Sequence, residues 1–406
     1  MSLLMKGQLI FMKRLKKYEH TIYASYLGYI TQAIINNFAP LLFLTFATDY
    51  NLTLDKITFI TTLNFAVQLI VDLIAAKYVD KLGYRPCVVA AHIFSFAGLV
   101  GMAFLPDLLS NSYLGLLIAV VCYAIGGGLI EVLISPIVEA CPTEKKEAAM
   151  SLLHSFYCWG HVAVVLCSTL FFRLCGIASW KLLACIWAIV PLVNTVYFML
   201  VPLYPIVNEH ERISARQMLK QKAFWLLMII MVCAGASEQA MSQWASAFAE
   251  SGLNVSKTVG DLAGPCAFAT LMGTARAIYG KYSERIPLKK MMIASSVLCI
   301  CCYLTASLST NPLIGLIGCA VCGFSVGIFW PGTFSTAAVA LPNTGTAMYA
   351  LMALAGDVGC SAGPSVVGFI ANANSNNLKL GLIFAIIFPI GILLGITYLH
   401  QTKASD

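Results

Sequence analysis

Charge is what this chain has least of. Of its 406 residues only 11% are Asp, Glu, Lys or Arg, against about a quarter in soluble domains, while 59% are hydrophobic. Apolar side chains in that proportion cannot be confined to one core, and a mean hydropathy of +0.83 makes the bilayer the solvent for most of the chain. A soluble multidomain enzyme is excluded. Histidine is scarce as well: six are scattered through the chain and no Cys-x-x-Cys pair accompanies a histidine cluster, so no metal site is expected. Nothing resembles a Walker phosphate loop, which leaves direct use of ATP unsupported, and no cofactor is expected. Long polar stretches are missing too. At about 20 apolar residues per span, the length holds about twelve spans and little else.

What takes the place of charge is a series of apolar runs. They predict helices over 20–48, 55–77, 86–106, 112–140, 147–175 and 180–202, then 222–250, 258–280, 288–308, 312–340, 344–373 and 377–400. The 15 cysteines fall mostly inside these runs, as in SSVLCICCYL, where a thiol acts as a small hydrophobe; they are read as reduced and structural. The start, MSLLMKGQLIFMKRLKKYEH, has too short an apolar stretch for a signal sequence. It leads through a basic cluster into the first run, which reads as an uncleaved cytoplasmic start with Met12 as an alternative initiator. With that end inside, the inner connections hold 19 of the 25 Lys and Arg, the bias of cytoplasmic loops. Lys56, Arg173, Lys181, Lys257 and Lys379 fall outside, and Arg276 lies near the inner end of the eighth run. The net charge of +7 is therefore a topology signal with anionic lipid as its neighbour. A nucleic-acid partner would need the basic residues gathered on one face, and none is expected. The chain is expected in the cytoplasmic membrane with both termini inside, working as a monomer.

The segment 203–221 is the longest polar stretch and reads as a cytoplasmic linker between six-helix halves at 1–202 and 222–406. The halves echo each other. AAMSLL opens the fifth helix and TAMYAL the eleventh, so Ala149, Met150 and Leu153 recur as Ala347, Met348 and Leu351, after short loops containing Pro142 and Pro342. The expected fold is an all-α membrane protein, twelve transmembrane helices in two parallel six-helix halves around a midplane site.

Between the second and third helices the chain runs Ala76-Lys-Tyr-Val-Asp80-Lys81-Leu-Gly83-Tyr-Arg85. This resembles the Gly-x-x-x-Asp-Arg/Lys-x-Gly-Arg signature of the major facilitator superfamily, with Ala76 in place of the first glycine and Tyr84 interposed before the arginine. The resemblance implies the major facilitator fold over essentially the whole chain. It also implies an inner gate at Asp80, Lys81, Gly83 and Arg85, to which Asp72 and Arg276 are added by position. The corresponding loop of the second half, RAIYGKYSERIPLKK, keeps its basic residues but has Gly280 where an acid would sit. Within the superfamily, GGGLIEVLISPIV in the fourth helix is similar to the pattern of the fucose permease-like sugar symporters, which puts Glu131 in the place of their proton-linked glutamate. Their other functional acid, in the first helix, is replaced here by Asn37 or Asn36, an amide that can bind a hydroxyl but cannot carry a proton. The drug-antiporter signature Gly-Pro-x-x-Gly-Gly is absent from the fifth helix, LLHSFYCWGHVAVVL, which disfavours a multidrug exporter.

Of the 18 acidic residues, Asp72, Glu131, Glu238 and Asp357 fall clearly inside predicted spans, where an unpaired charge costs about 3 kcal/mol or more. Glu131 and Asp357 are the candidates for proton coupling, joined by His161, whose side-chain type titrates near neutrality. In GASEQAMSQWASAF, Glu238 and Ser242 share a helix face with Gln239 and Gln243 alongside and Trp244 flanking. Carboxylate and amides for hydroxyls, beside an indole for an apolar ring face, suit a sugar or polyol; packing between helices is the plainer reading. Gln32, Asn36, Asn37, Asn64, Gln68, Tyr157 and Trp330 complete the expected substrate set. Together these read as a secondary active transporter, not an enzyme, taking up a small polar solute with protons by alternating access. A proton-linked efflux antiporter for an organic compound is the alternative in the same class, and a transporter-like sensor the alternative in another.

Overall fold

The computed structural model describes residues 17–143, 146–204, 218–282, 286–341 and 345–404. The basic start of the chain, most of the 203–221 linker, Lys145, Arg285 and Pro342 lie outside the described residues, as do the side chains of Asp80, Lys81, Ala149, Met150 and Ala347. Among the described residues every regular element is helical, as hydrocarbon demands of backbone groups that find no water to bond. Eleven helices there are long and apolar enough to cross a membrane. The main elements in chain order are α1 Tyr18–Asp49, α2 Leu54–Leu82, α3 Tyr84–Leu108, α4 Ser112–Glu139, α5 Lys146–Cys175 and α6 Trp180–Leu200. They continue with α7 Lys222–Ser242, α8 Ala267–Tyr282, α9 Leu288–Leu308, α10 over 312–340, α11 Gly345–Ala373 and α12 Leu378–Leu399.

Local chemistry sets the boundaries. Asn111, Asn311 and Asn377 start α4, α10 and α12 by accepting from the N–H groups of Leu114, Leu313 and Leu380. Gly83 makes the tight turn from α2 into α3 at φ +88°, a backbone conformation that L side chains resist. Five expected spans are not continuous α-helix: 222–250 breaks after Ser242, 377–400 breaks at Ile386, and three more are interrupted near a proline. In α1 a 3-10 turn, Ala39–Leu42, interrupts the ladder around Pro40. In α10 the first segment ends at Val326 and a second, Phe329–Ala340, begins two residues before Pro331. The run expected as a single helix over 258–280 is three pieces: a short helix Lys257–Asp261, a π turn Leu262–Cys266 containing Pro265, and α8. Proline has no N–H to give, and a π turn is one way a helix absorbs the loss.

The chain packs as two compact units. One comprises residues 1–38, 67–164 and 174–208, the other 39–66, 165–173 and 209–406. Segments 39–66 and 165–173 precede the linker in sequence yet belong to the unit that holds the second half. In the first unit, Asn194 of α6 bridges to His92 on α3 at 2.8 Å and to the Ala24 carbonyl on α1 at 3.0 Å. In the second, α7 and α11 approach backbone to backbone: a Cβ on Gly359 would overlap the Val232 carbonyl, and one on Gly363 the Ala236 carbonyl. Trp244, just past the end of α7, donates its indole N–H to the Pro364 carbonyl at 2.9 Å.

Candidate functional site

The first unit holds a chain of buried amides that ends on an acid. Gln32 and Asn36 lie one helical turn apart on α1, and Gln68 faces them from α2. Gln32 Nε2 donates to Gln68 Oε1 at 3.0 Å and to Glu131 Oε2 on α4 at 3.3 Å, and Gln68 Nε2 donates to Asn36 Oδ1 at 2.9 Å. Gln32 spends both amide hydrogens on these two acceptors, while its own Oε1, among the described residues, is buried without a hydrogen-bond partner. The glycine run of α4 makes room for this. A Cβ on Gly127 would stand 3.0 Å from Gln68 Cδ and 3.2 Å from Gln32 Oε1. One turn along α1, Asn37 Nδ2 donates to its own Ala33 carbonyl at 2.9 Å and reaches the Tyr157 hydroxyl of α5 at 3.5 Å. His161, one turn beyond Tyr157, is buried.

The second unit holds the other set. Gln243 Nε2 donates to Gln239 Oε1 at 3.0 Å, and Gln239 Nε2 reaches Glu238 Oε1 at 3.5 Å. Glu238 Oε2 lies 3.6 Å from Arg276 Nη2 of α8 and, among the described residues, accepts no hydrogen bond. Arg276 Nε donates to the Gly327 carbonyl at 3.3 Å, at the break in α10. On α11, Asp357 is buried and the neighbouring Gly356 receives the Trp330 ring, which a Cβ there would displace. Asn64 is buried in this unit as well.

Several expected assignments change. Arg85, expected at the inner gate, caps a helix within its own unit: its guanidinium donates to the carbonyls of Phe198, Met199 and Val201 at 2.6, 3.0 and 2.8 Å, where α6 ends. A cation at a helix C-terminus meets both unsatisfied carbonyls and the negative end of the dipole. Arg276, also expected at the gate, is drawn to Glu238. Trp244 is wholly buried against Phe43 at 5.3 Å, which leaves no ring face for a ligand here. Asp72 packs against the glycine run, its Oδ1 3.1 Å from where a Cβ on Gly128 would lie. The largest addition is a cluster that sequence reading passed over. Lys257, read only as a marker of the outer face, stands between Glu250 and a fully buried Asp261.

The profile of the Major Facilitator Superfamily matches residues 25–364, and the chain belongs to that superfamily. It is a multi-pass membrane transporter, in the class that binds small molecules within the membrane. Among solved structures, the fucose:proton symporter of E. coli aligns with a TM-score of 0.65 over 94% of this chain and 98% of that one, at 14% identity. A bacterial homologue of the human lysosomal transporter Spinster, inward-facing and unoccupied, aligns with a TM-score of 0.73 over 96% and 98%, again at 14% identity. No curated protein sequence matches the chain.

Proposed function

We propose that the chain is a secondary transporter that takes up a small hydroxylated solute, a sugar or polyol, together with protons across the cytoplasmic membrane. The observation that carries this reading is the bond from Gln32 to Glu131 at 3.3 Å within the run of amides Asn36, Gln68 and Gln32. It ties an acid able to hold a proton to side chains that suit hydroxyl groups. In the second unit, Gln239 and Gln243 offer amides beside the Glu238–Arg276 pair, with Asp357 and Trp330 on neighbouring helices. The solved fucose:proton symporter with the same fold supports a proton-linked sugar as the first class to try. Substrate binding and loading of Glu131 would then act on the same amides. Transport proceeds by alternating access of the halves at 1–202 and 222–406, with both termini inside and one chain sufficient.

The test has two stages. A thermal-shift screen of purified protein against sugars, polyols, amino acids and drugs identifies the ligand. Uptake of that ligand into proteoliposomes is then followed with and without an inward proton gradient. Accumulation is expected to need the gradient and to be lost in Glu131→Gln, while gradient-independent facilitated flux survives. Stabilisation by hydrophobic cations alone would refute the sugar reading and favour the efflux antiporter. Accumulation by Glu131→Gln at the wild-type level would refute coupling through Glu131.

A further inference from the structure

Beyond the end of α7 the chain passes through a short helix, Ala245–Ala247, and a π turn, Phe248–Gly252, before the helix Lys257–Asp261. Lys257 and Asp261 are four residues apart on that helix and meet at 3.2 Å; Glu250 reaches the same ammonium at 3.3 Å. Lys257 also donates to the Leu41 carbonyl of α1 at 2.7 Å and lies 5.8 Å over the Phe172 ring of α5, while Thr169 of α5 donates to Asp261 Oδ2 at 3.3 Å. The cluster thus ties residues of α1 and α5 to residues beyond the linker, all inside one compact unit. It forms only when those segments are packed together, on the face that the lysine and arginine count reads as outer.

Its charges do not balance. Two carboxylates share one ammonium, and Asp261 is entirely out of solvent. Burial of a net negative charge is disfavoured unless a proton or cation neutralises it. Hydrogen counting says where the proton goes. Ser246 Oγ lies 2.5 Å from Asp261 Oδ1 and 3.4 Å from Glu250 Oε1, yet a hydroxyl has one hydrogen to donate. That hydrogen goes to Asp261, which also accepts from Thr169 and Lys257, whereas Glu250 Oε1 is left with the Lys257 ammonium at 3.3 Å; Glu250 is therefore the less well supplied carboxylate and the one that takes the proton. The charged groups that face Glu250 are Lys257 and Asp261; among the described residues, α1 and α5 bring the cluster only a carbonyl, a hydroxyl and a ring.

We propose that Glu250, Asp261 and Lys257 are a proton-binding latch: packing of α1 and α5 onto this cluster takes up one proton, held on Glu250, and opening of that face releases it. The latch rests on the transporter class alone and on neither the substrate nor Glu131. Acidification favours the packed arrangement, because that arrangement binds the proton and the opened one, with both acids in water, does not.

Hydrogen–deuterium exchange of the full chain in lipid nanodiscs, without substrate and corrected for the intrinsic exchange rate at each pH, reads this directly at segments 39–50 and 165–173. Between about pH 5.5 and pH 8, wild-type protection is expected to rise on acidification by up to tenfold per pH unit, the limit for a single proton. Glu250→Gln and Asp261→Asn leave one acid and one lysine, so their protection is expected to be high and independent of pH. Asp107→Asn, at an exposed acid paired with Lys181 and outside both sites, should keep the wild-type profile. A flat wild-type profile, an unaltered slope in Glu250→Gln, or a slope abolished by Asp107→Asn would each overturn the latch. The wild-type profile alone decides if the latch variants do not fold.

Discussion

Substituting Gly127 by alanine adds one methyl group where the amides of α1 and α2 lie against α4. The new carbon would stand 3.0 Å from Gln68 Cδ and 3.2 Å from both Gln68 Oε1 and Gln32 Oε1, inside the usual contact distance of about 3.5–4.0 Å. The amides must retreat by a few tenths of an ångström. Gln32 already reaches Glu131 at 3.3 Å, so that bond or the 3.0 Å bond to Gln68 is lost. A buried amide left without its partner costs about 1–3 kcal/mol. Alanine also favours helix over glycine by up to about 1 kcal/mol, which blurs a single measurement. Gly101→Ala removes that ambiguity: it gains the same propensity on α3, and its methyl meets first, at 3.2 Å, the end of the Leu105 side chain, which can rotate away. Thermal or denaturant unfolding in nanodiscs is therefore expected to separate the two variants by about 1–3 kcal/mol, with Gly127→Ala the weaker. Since the displaced amides belong to the proposed substrate set, the apparent affinity for the transported solute should fall by about fivefold or more. Indistinguishable stability and uptake in the two variants would refute both the packing argument and the placement of the amides at the site.

Arg85→Met removes three hydrogen bonds from the end of α6 and is expected to lower stability by about 2–4 kcal/mol; Arg85→Lys, with a single ammonium, should recover only part of it. Fluorescence-detected thermal unfolding checks this, and unchanged melting in Arg85→Met would return the residue to the gate. Arg276→Met leaves Glu238 buried beside no cation, an expected loss of about 3 kcal/mol or more, whereas Arg276→Met combined with Glu238→Gln should regain most of it. A double-mutant cycle by the same unfolding measurement shows no coupling if the 3.6 Å pair is incidental.

Much of the architecture is visible in the sequence because a bilayer leaves a chain few options: an apolar run of sufficient length becomes a helix, and three of the interruptions fall where Pro40, Pro265 and Pro331 remove a donor, while the break after Ser242 has no proline to announce it. The turn at Gly83 is equally readable, since a left-handed residue between two helices calls for glycine. Residue types also single out Gln32, Asn36, Gln68 and Glu131. What they do not contain is the linkage among them, because Gln32 and Glu131 are 99 positions apart and their meeting depends on how α1 and α4 are rotated against each other. Arg85 illustrates the opposite difficulty. A signature draws attention to it as a gate residue, but its partners are carbonyls 113 to 116 positions away, and carbonyls have no sequence pattern. Lys257 and Asp261 did leave a trace, an opposite-charge pair at helical spacing inside an apolar run. Thr169, 92 residues earlier, left none.

The 3-10 turn Ala39–Leu42 also bears on how the protein is made. The Leu41 carbonyl receives its hydrogen bond from a lysine 216 residues downstream, and at about 5–20 residues per second the ribosome needs roughly 10–40 s to supply it. Over that interval the nascent α1 is in the membrane with a broken ladder and without the side chain that completes it. The early spans must therefore wait in a provisional arrangement, shielded by lipid headgroups, water or an insertion factor, until α1 and α5 are captured by a segment that did not exist when they entered the bilayer.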